Sequence, residues 1–354
     1  MDAFLNVLSN VWNVVFYILI MVLVFGVMIF IHEAGHFFTA RACKITVKEF
    51  AIGMGPKLFS WTSKKHNTVH SVRLLPIGGF VSMEGEDEAS DDKNAFCNKP
   101  VWQRMLVVAA GPFMNIVLGV ILTLTVVLCQ GPLGSTVIAE FNENSVSSEK
   151  LCVDDEIIKI DGTYVFTGNE VLYEIMNQGY EPIDVVVKRD GEKIVVEDVT
   201  FGTLTEQGVY FGDMDFKVKQ EEKNFLTVAK QTVTRSASTV KMIYDSLIGM
   251  VTGRFGLDSV SGPVGVAQTV GDAAKTDYVS FLYIGAILTI NLGVFNFIPF
   301  PALDGGRFLI LCIEGIRRKP INKNVEGYIN FVGLIILFAI MIIVTCKDVF
   351  KLFG

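Results

Sequence analysis

Charge is scarce in this chain of 354 residues: Asp, Glu, Lys and Arg make up 19% of it, against 51% hydrophobic residues. With a mean hydropathy of +0.47, that scarcity excludes an ordinary soluble protein and points to several membrane spans joined to a soluble part. A long basic tract is also missing, and the net charge of −7 is spread along the chain, so nucleic acid is excluded as a partner. The six cysteines form no CxxC pair, which rules out a cysteine zinc site and a disulfide framework. There is neither an internal repeat nor a low-complexity tract. Lysine and arginine are absent before Arg41.

What is present is long apolar runs. Val14 to Ile31 is 18 residues with no polar side chain except the Tyr17 hydroxyl. Further runs extend over 105–129, 280–298 and 328–346. Each is long enough for a hydrocarbon core of about 30 Å, which predicts about four transmembrane helices. A cleaved signal peptide is the other reading of the first run, but the run is too long and no basic residue precedes it. Basic residues crowd the first connection (Arg41 to Arg73) and the third (Arg307 to Lys323). The positive-inside bias puts both in the cytoplasm, and the N-terminus, residues 131–279 and the C-terminus outside.

Between the first two spans, residues 47–85 alternate and carry glycines, reading as short strands joined by turns that lie against the membrane. Residues 84–94 are an acidic, solvated loop. Residues 131–215 read as a β-rich module with Asp-Gly turns at 161–162 and 190–191 and one helical stretch, GNEVLYEIMNQ. The module resembles a PDZ domain through LCVDDEIIKIDG, with Asp154-Asp155 where the family has Gly-Asp. The expected organisation is therefore 1–130 with two spans and a membrane-associated β-element, 131–215 the extracytoplasmic PDZ-like module, 216–279 a helical linker on the outer membrane face, and 280–354 the last two spans.

The chemistry sits in lipid. In HEAGH, His32 and His36 stand at i and i+4, on one face of a helix, and can share one metal ion, while Glu33 lies beside them as a candidate base. Ionisable residues inside membrane spans are functional by default. A catalytic zinc site takes a third protein ligand. Asp304, in NFIPFPALDGGR, is the only acid in the apolar run from Tyr278 to Arg307, and prolines and glycines around it free the backbone to turn its carboxylate inward. Glu314 and Glu49 are the weaker alternatives.

HEAGH in the first span, AGPFMN (110–115) in the second, NFIPFPALDGG in the third and the intervening PDZ-like module together resemble the site-2 proteases, nearest to the bacterial RseP type, over nearly the whole chain. The resemblance implies an intramembrane zinc metalloprotease that cuts within or near transmembrane segments. Its metal ligands would be His32, His36 and Asp304, with Glu33 as catalytic base. FAIGMGP (50–56) and PIGGFV (76–81) match the family's β-element beside the active site. Substrate would be held by that strand edge, at Gly78, Gly79 and Phe80, and by Asn296. Implied partners are the bilayer and single-span membrane proteins such as anti-sigma factors or signal-peptide remnants. Many RseP-type members carry two PDZ domains, and this chain has room for one. The rival reading is a catalytically silent membrane scaffold that works through its PDZ-like module. A transporter is disfavoured by the absence of repeat symmetry.

Overall fold

The computed structural model describes residues 2–353 except 87, 207 and 257–259, so one residue of the acidic loop and three of the expected linker lie outside the described residues. In chain order the first elements are α1 (Asp2–Ala42), β1 (Val47–Thr62), β2 (Val69–Met83) and α2 (Val101–Cys129). There follow β3 (Leu133–Phe141), β4 (Glu156–Ile160), β5 (Thr163–Tyr164), α3 (Gly168–Gln178), β6 (Ile183–Arg189), β7 (Glu192–Val199), β8 (Gly202–Glu206), β9 (Val209–Asp213) and β10 (Phe216–Glu221). The chain closes with α4 (Phe225–Thr252), α5 (Pro263–Thr276), α6 (Tyr278–Phe297), α7 (Asp304–Arg317) and α8 (Lys323–Phe353). Two compact units result, one from Met1–Leu122 with Ser261–Gly354, the other Thr123–Val260.

Among the described residues four helices are long and apolar enough to cross a membrane, at Val15–Ala42, Val101–Cys129, Tyr278–Phe297 and Lys323–Lys351. They carry the four predicted runs, and the chain is a multi-pass membrane protein with a β-rich portion. Backbone polar groups have no water to turn to in lipid, so an apolar run of this length satisfies them within its own helix.

The first unit joins these helices to a β-hairpin. Residues 47–85 do not form short strands joined by turns, as the glycines suggested; they form two long strands, β1 and β2, folded back on each other. Phe50 lies opposite both Val81 and His70, and Ala51 opposite both Phe80 and Ser71. Residues 49–52 are thus flanked on both sides by parts of β2. The glycines bend the strands without ending them. Gly53 has φ +85°, and a Cβ there would meet the Leu75 carbonyl oxygen at 2.5 Å. The far half of the hairpin leaves Leu58, Phe59 and Trp61 at least half exposed. Its near half is anchored in a core where Phe37, Phe50, Val81, Val107, Val108 and Leu311 meet, bringing α1, the hairpin, α2 and α7 together.

In the second unit the strands run β10-β3-β4-β6-β7, with β5 beside β4 and a separate β8-β9 pair. The core includes Ile138, Ile157, Ile160, Val171, Ile175, Val187 and Phe216. The sheet thus reaches past residue 215, because Phe216 alternates inward and β10 pairs with β3. Asp154 adopts φ +75°, a backbone better suited to glycine. Asp155 is fully buried and held by Arg189 at 2.7 Å. The region 216–279 is not one linker: α4 belongs to this unit, while α5 belongs to the first, where Tyr17 donates to Asp272 at 2.7 Å.

Candidate metal centre and active site

α1 presents His32 and His36 one turn apart, their ring centroids 4.9 Å from each other. The third group arrives from the other end of the chain. α6 stops at Phe297, where Pro299 and Pro301 supply no backbone N–H, and the chain turns through Ala302 at φ +69° before Asp304 starts α7. The turn is tight, since a Cβ on Gly305 would overlap the carbonyl oxygens of Phe297 and Ile298.

Asp304 Oδ2 then lies 3.0 Å from His32 Nε2 and 3.4 Å from His36 Nε2, and the two Nε2 atoms are 3.2 Å apart. One ligand atom from each residue falls within 4.8 Å of the others. Oδ2 is buried and makes no hydrogen bond. A buried carboxylate oxygen without a donor is costly unless a cation neutralises it. Two imidazole nitrogens and one carboxylate oxygen are a donor set suited to zinc, with a fourth position left for water. The residues present fit the metal.

α2 shapes the opposite wall. His36 Nδ1 donates to the Val107 carbonyl at 2.8 Å, which leaves Nε2 with a free lone pair. Gly111 faces both rings: a Cβ there would lie 2.8 Å from His32 Nε2 and closer still to His36 Nε2. Asn115 is fully buried, with its Nδ2 3.2 Å from His32 Nδ1. The sequence shows AGPFMN as a motif without assigning a role to Gly111 or Asn115. An asparagine in an apolar span was the signal.

Of the expected substrate-holding residues, Gly79 is beside the site. A Cβ on it would come within 3.1 Å of Glu33 Cγ and 3.2 Å of Ile29 Cγ2. Gly78 has φ +83° and packs against Met54, and Phe80 lies under the Arg73 guanidinium at 4.8 Å. Residues 79–83 pair with 47–52 on one side; among the described residues no strand pairs with the other. Asn296 is half-buried and donates to the Leu292 carbonyl of its own helix at 2.9 Å.

The alternative third ligands are committed elsewhere. Glu314 pairs with Arg104 at 2.8 Å and accepts from the Ile321 backbone N–H. Burial pushes the Glu49 carboxyl up, but hydrogen bonds from Ser71, Arg73 and Lys57 outweigh it and hold the group below its ordinary range.

Residues 20–340 match the family model of Peptidase family M50. The regulator of sigma-W protease RasP from Bacillus subtilis is 31% identical to this chain, over 94% of the chain and 98% of the relative. The zinc metalloprotease RasP of Geobacillus kaustophilus is likewise 31% identical, over 94% of the chain and 97% of its own length. A Clostridium perfringens relative is 37% identical over 94% and 98%.

Proposed function

Because the chain belongs to Peptidase family M50, the site-2 proteases, and is an intramembrane zinc metalloprotease, we propose that His32, His36 and Asp304 hold its zinc. Glu33 is then the catalytic base. The observation that carries the assignment is the convergence of two Nε2 atoms and a buried Asp304 Oδ2 that takes no hydrogen bond, against a wall kept open by Gly111.

Zinc, when bound, activates water toward neutral pH and polarises the scissile carbonyl. The Glu33 carboxylate takes the proton of the attacking water and passes it to the leaving amine. A transmembrane substrate hides its peptide bonds within its own helix, so it must unwind, and the freed N–H and C=O groups need partners. The open edge at 79–83 supplies them by strand addition, and the lack of a side chain at Gly79 lets that backbone run beside Glu33. Asn296 adds its amide once it leaves the Leu292 carbonyl.

The substrates are single-span membrane proteins, anti-sigma factors or signal-peptide remnants among them; a relative whose name makes it a protease that regulates sigma-W supports this class. The charge bias of the two basic connections supports a cytoplasmic-side active site and an extracytoplasmic β-unit. The residues 131–215, completed by β10, act as a PDZ-like domain. Its strand order with a single helix supports that reading.

The test is co-expression of single-span candidates with wild type and with Glu33→Gln. Glu33→Gln is expected to abolish the cut while keeping about one zinc per chain, since Glu33 is a base and not a ligand. Cleavage within about tenfold of wild type, where loss of a general base typically costs about 100-fold or more, would remove Glu33 from the mechanism.

A further inference from the structure

Among the described residues, Asn115 is a fully buried side chain in the middle of a membrane span whose Oδ1 has no hydrogen-bond partner. It stands four residues beyond Gly111 and eight beyond Val107, so the three share one face of α2. That face meets both histidines. Val107 touches His36 on the Nδ1 side, Gly111 gives way to the two rings, and Asn115 touches His32 on the Nδ1 side.

The two contacts should be chemically alike. The Val107 carbonyl can only accept, so His36 carries its proton on Nδ1 and presents a bare Nε2. His32 Nε2 faces the same Asp304 oxygen and needs the same tautomer to serve a cation. Its Nδ1–H therefore needs an acceptor. Asn115 owns one, the unpartnered Oδ1, and a half-turn of the amide brings it to the position beside Nδ1, because the two ends of the amide have the same shape.

We infer that Asn115 is a positioning residue for the metal centre: its amide oxygen accepts from His32 Nδ1–H and fixes the ring with Nε2 toward the zinc. The inference rests on the zinc-site reading above. Groups that orient a metal-bound histidine from its far nitrogen fix both tautomer and ring angle, and losing one weakens metal binding. The same residue also meets α6 through its backbone, with the Thr289 hydroxyl 3.4 Å from the Asn115 carbonyl oxygen. A purely structural role there would involve shape alone, and leucine or aspartate would serve it about equally.

The test compares full-length protein, Asn115→Leu and Asn115→Asp in detergent. Zinc affinity is measured by competition with a chromophoric chelator, and the visible absorption of the cobalt-substituted forms is recorded. Asn115→Leu is expected to weaken zinc about 10- to 100-fold and to alter the cobalt spectrum. Asn115→Asp, which can accept through the same atom, is expected to hold zinc within about threefold of wild type, well inside the loss expected for a missing outer-shell partner. Wild-type affinity in Asn115→Leu would overturn the inference. So would an Asn115→Asp protein that binds as weakly as the leucine variant, since the asparagine would then act as a donor. If the leucine variant does not fold, Asn115→Ala takes its place: weaker zinc binding and an altered cobalt spectrum beside a near-wild-type Asn115→Asp support the acceptor role, and equal affinity in the two variants refutes it. Failure of wild type to bind zinc, or equal binding by Asp304→Ala, would instead strike the zinc-site reading.

Discussion

At the scale of single residues, the site divides into groups that speak through chemistry and groups that speak through space. His32, Glu33, His36 and Asp304 were legible in the sequence because ionisable side chains in lipid are conspicuous, and because i and i+4 on a helix must face the same way. Gly111 was not legible. A glycine in an apolar span looks like any small packing residue until the two imidazoles are seen against it. Gly111→Ala is expected to weaken zinc binding by at least about tenfold, because its Cβ would take the space of both Nε2 atoms and tilt the rings. Unchanged affinity by chelator competition would mean that α2 gives way there and does not define the wall. Asn296 shows the opposite limit. Its motif pointed to substrate, but which partner a side-chain amide chooses depends on geometry, and here the partner is the Leu292 carbonyl.

At the scale of elements, the four spanning helices were readable from hydropathy because the bilayer imposes one length and one polarity. The β-hairpin was only half readable. Alternation and glycines announced strands and bends, yet whether a glycine ends a strand or bends it depends on the pairing partner, which local sequence does not contain. The structure resolves this by folding β2 along both sides of residues 49–52, which leaves 79–83 as an edge whose Gly79 lies beside Glu33. Gly79→Val should leave zinc content unchanged and lower cleavage by about 100-fold, the usual cost of misplacing reacting groups by about 1 Å. Equal cleavage of a single-span substrate by this variant would show that substrate passes Glu33 by another route. The break between α6 and α7 was well signalled, since two prolines and two glycines within eight residues cannot continue a helix.

At the scale of the whole molecule, the division into a membrane unit and a β-rich unit was evident from the change in composition near residue 131. Its details were not. Whether β10 joins the sheet and which unit takes α4 or α5 depend on long-range pairing. The β-unit starts and ends close together, as Lys223 Nζ donates to the carbonyl oxygens of Leu128 (3.0 Å) and Gln130 (2.5 Å). Residues 131–221 should therefore be removable with a short linker in their place. If this unit filters substrates by the bulk of their external parts, the deletion protein keeps its zinc and cuts proteins with longer external domains than wild type does. A deletion protein that is inserted, binds zinc and still rejects them would contradict the filter and favour a docking or folding role.

In the proposed site one zinc joins distant parts of the chain through His32, His36 and Asp304. X-ray absorption at the zinc edge of the purified full-length protein tests it most directly, with Asp304→Ala beside it. Expected is one zinc per chain with two imidazoles at about 2.0–2.1 Å, further light scatterers and no sulfur in the first shell, together with loss of most zinc in Asp304→Ala. Sulfur ligation, a third imidazole, or an unchanged zinc site in Asp304→Ala would mean that other residues hold the metal.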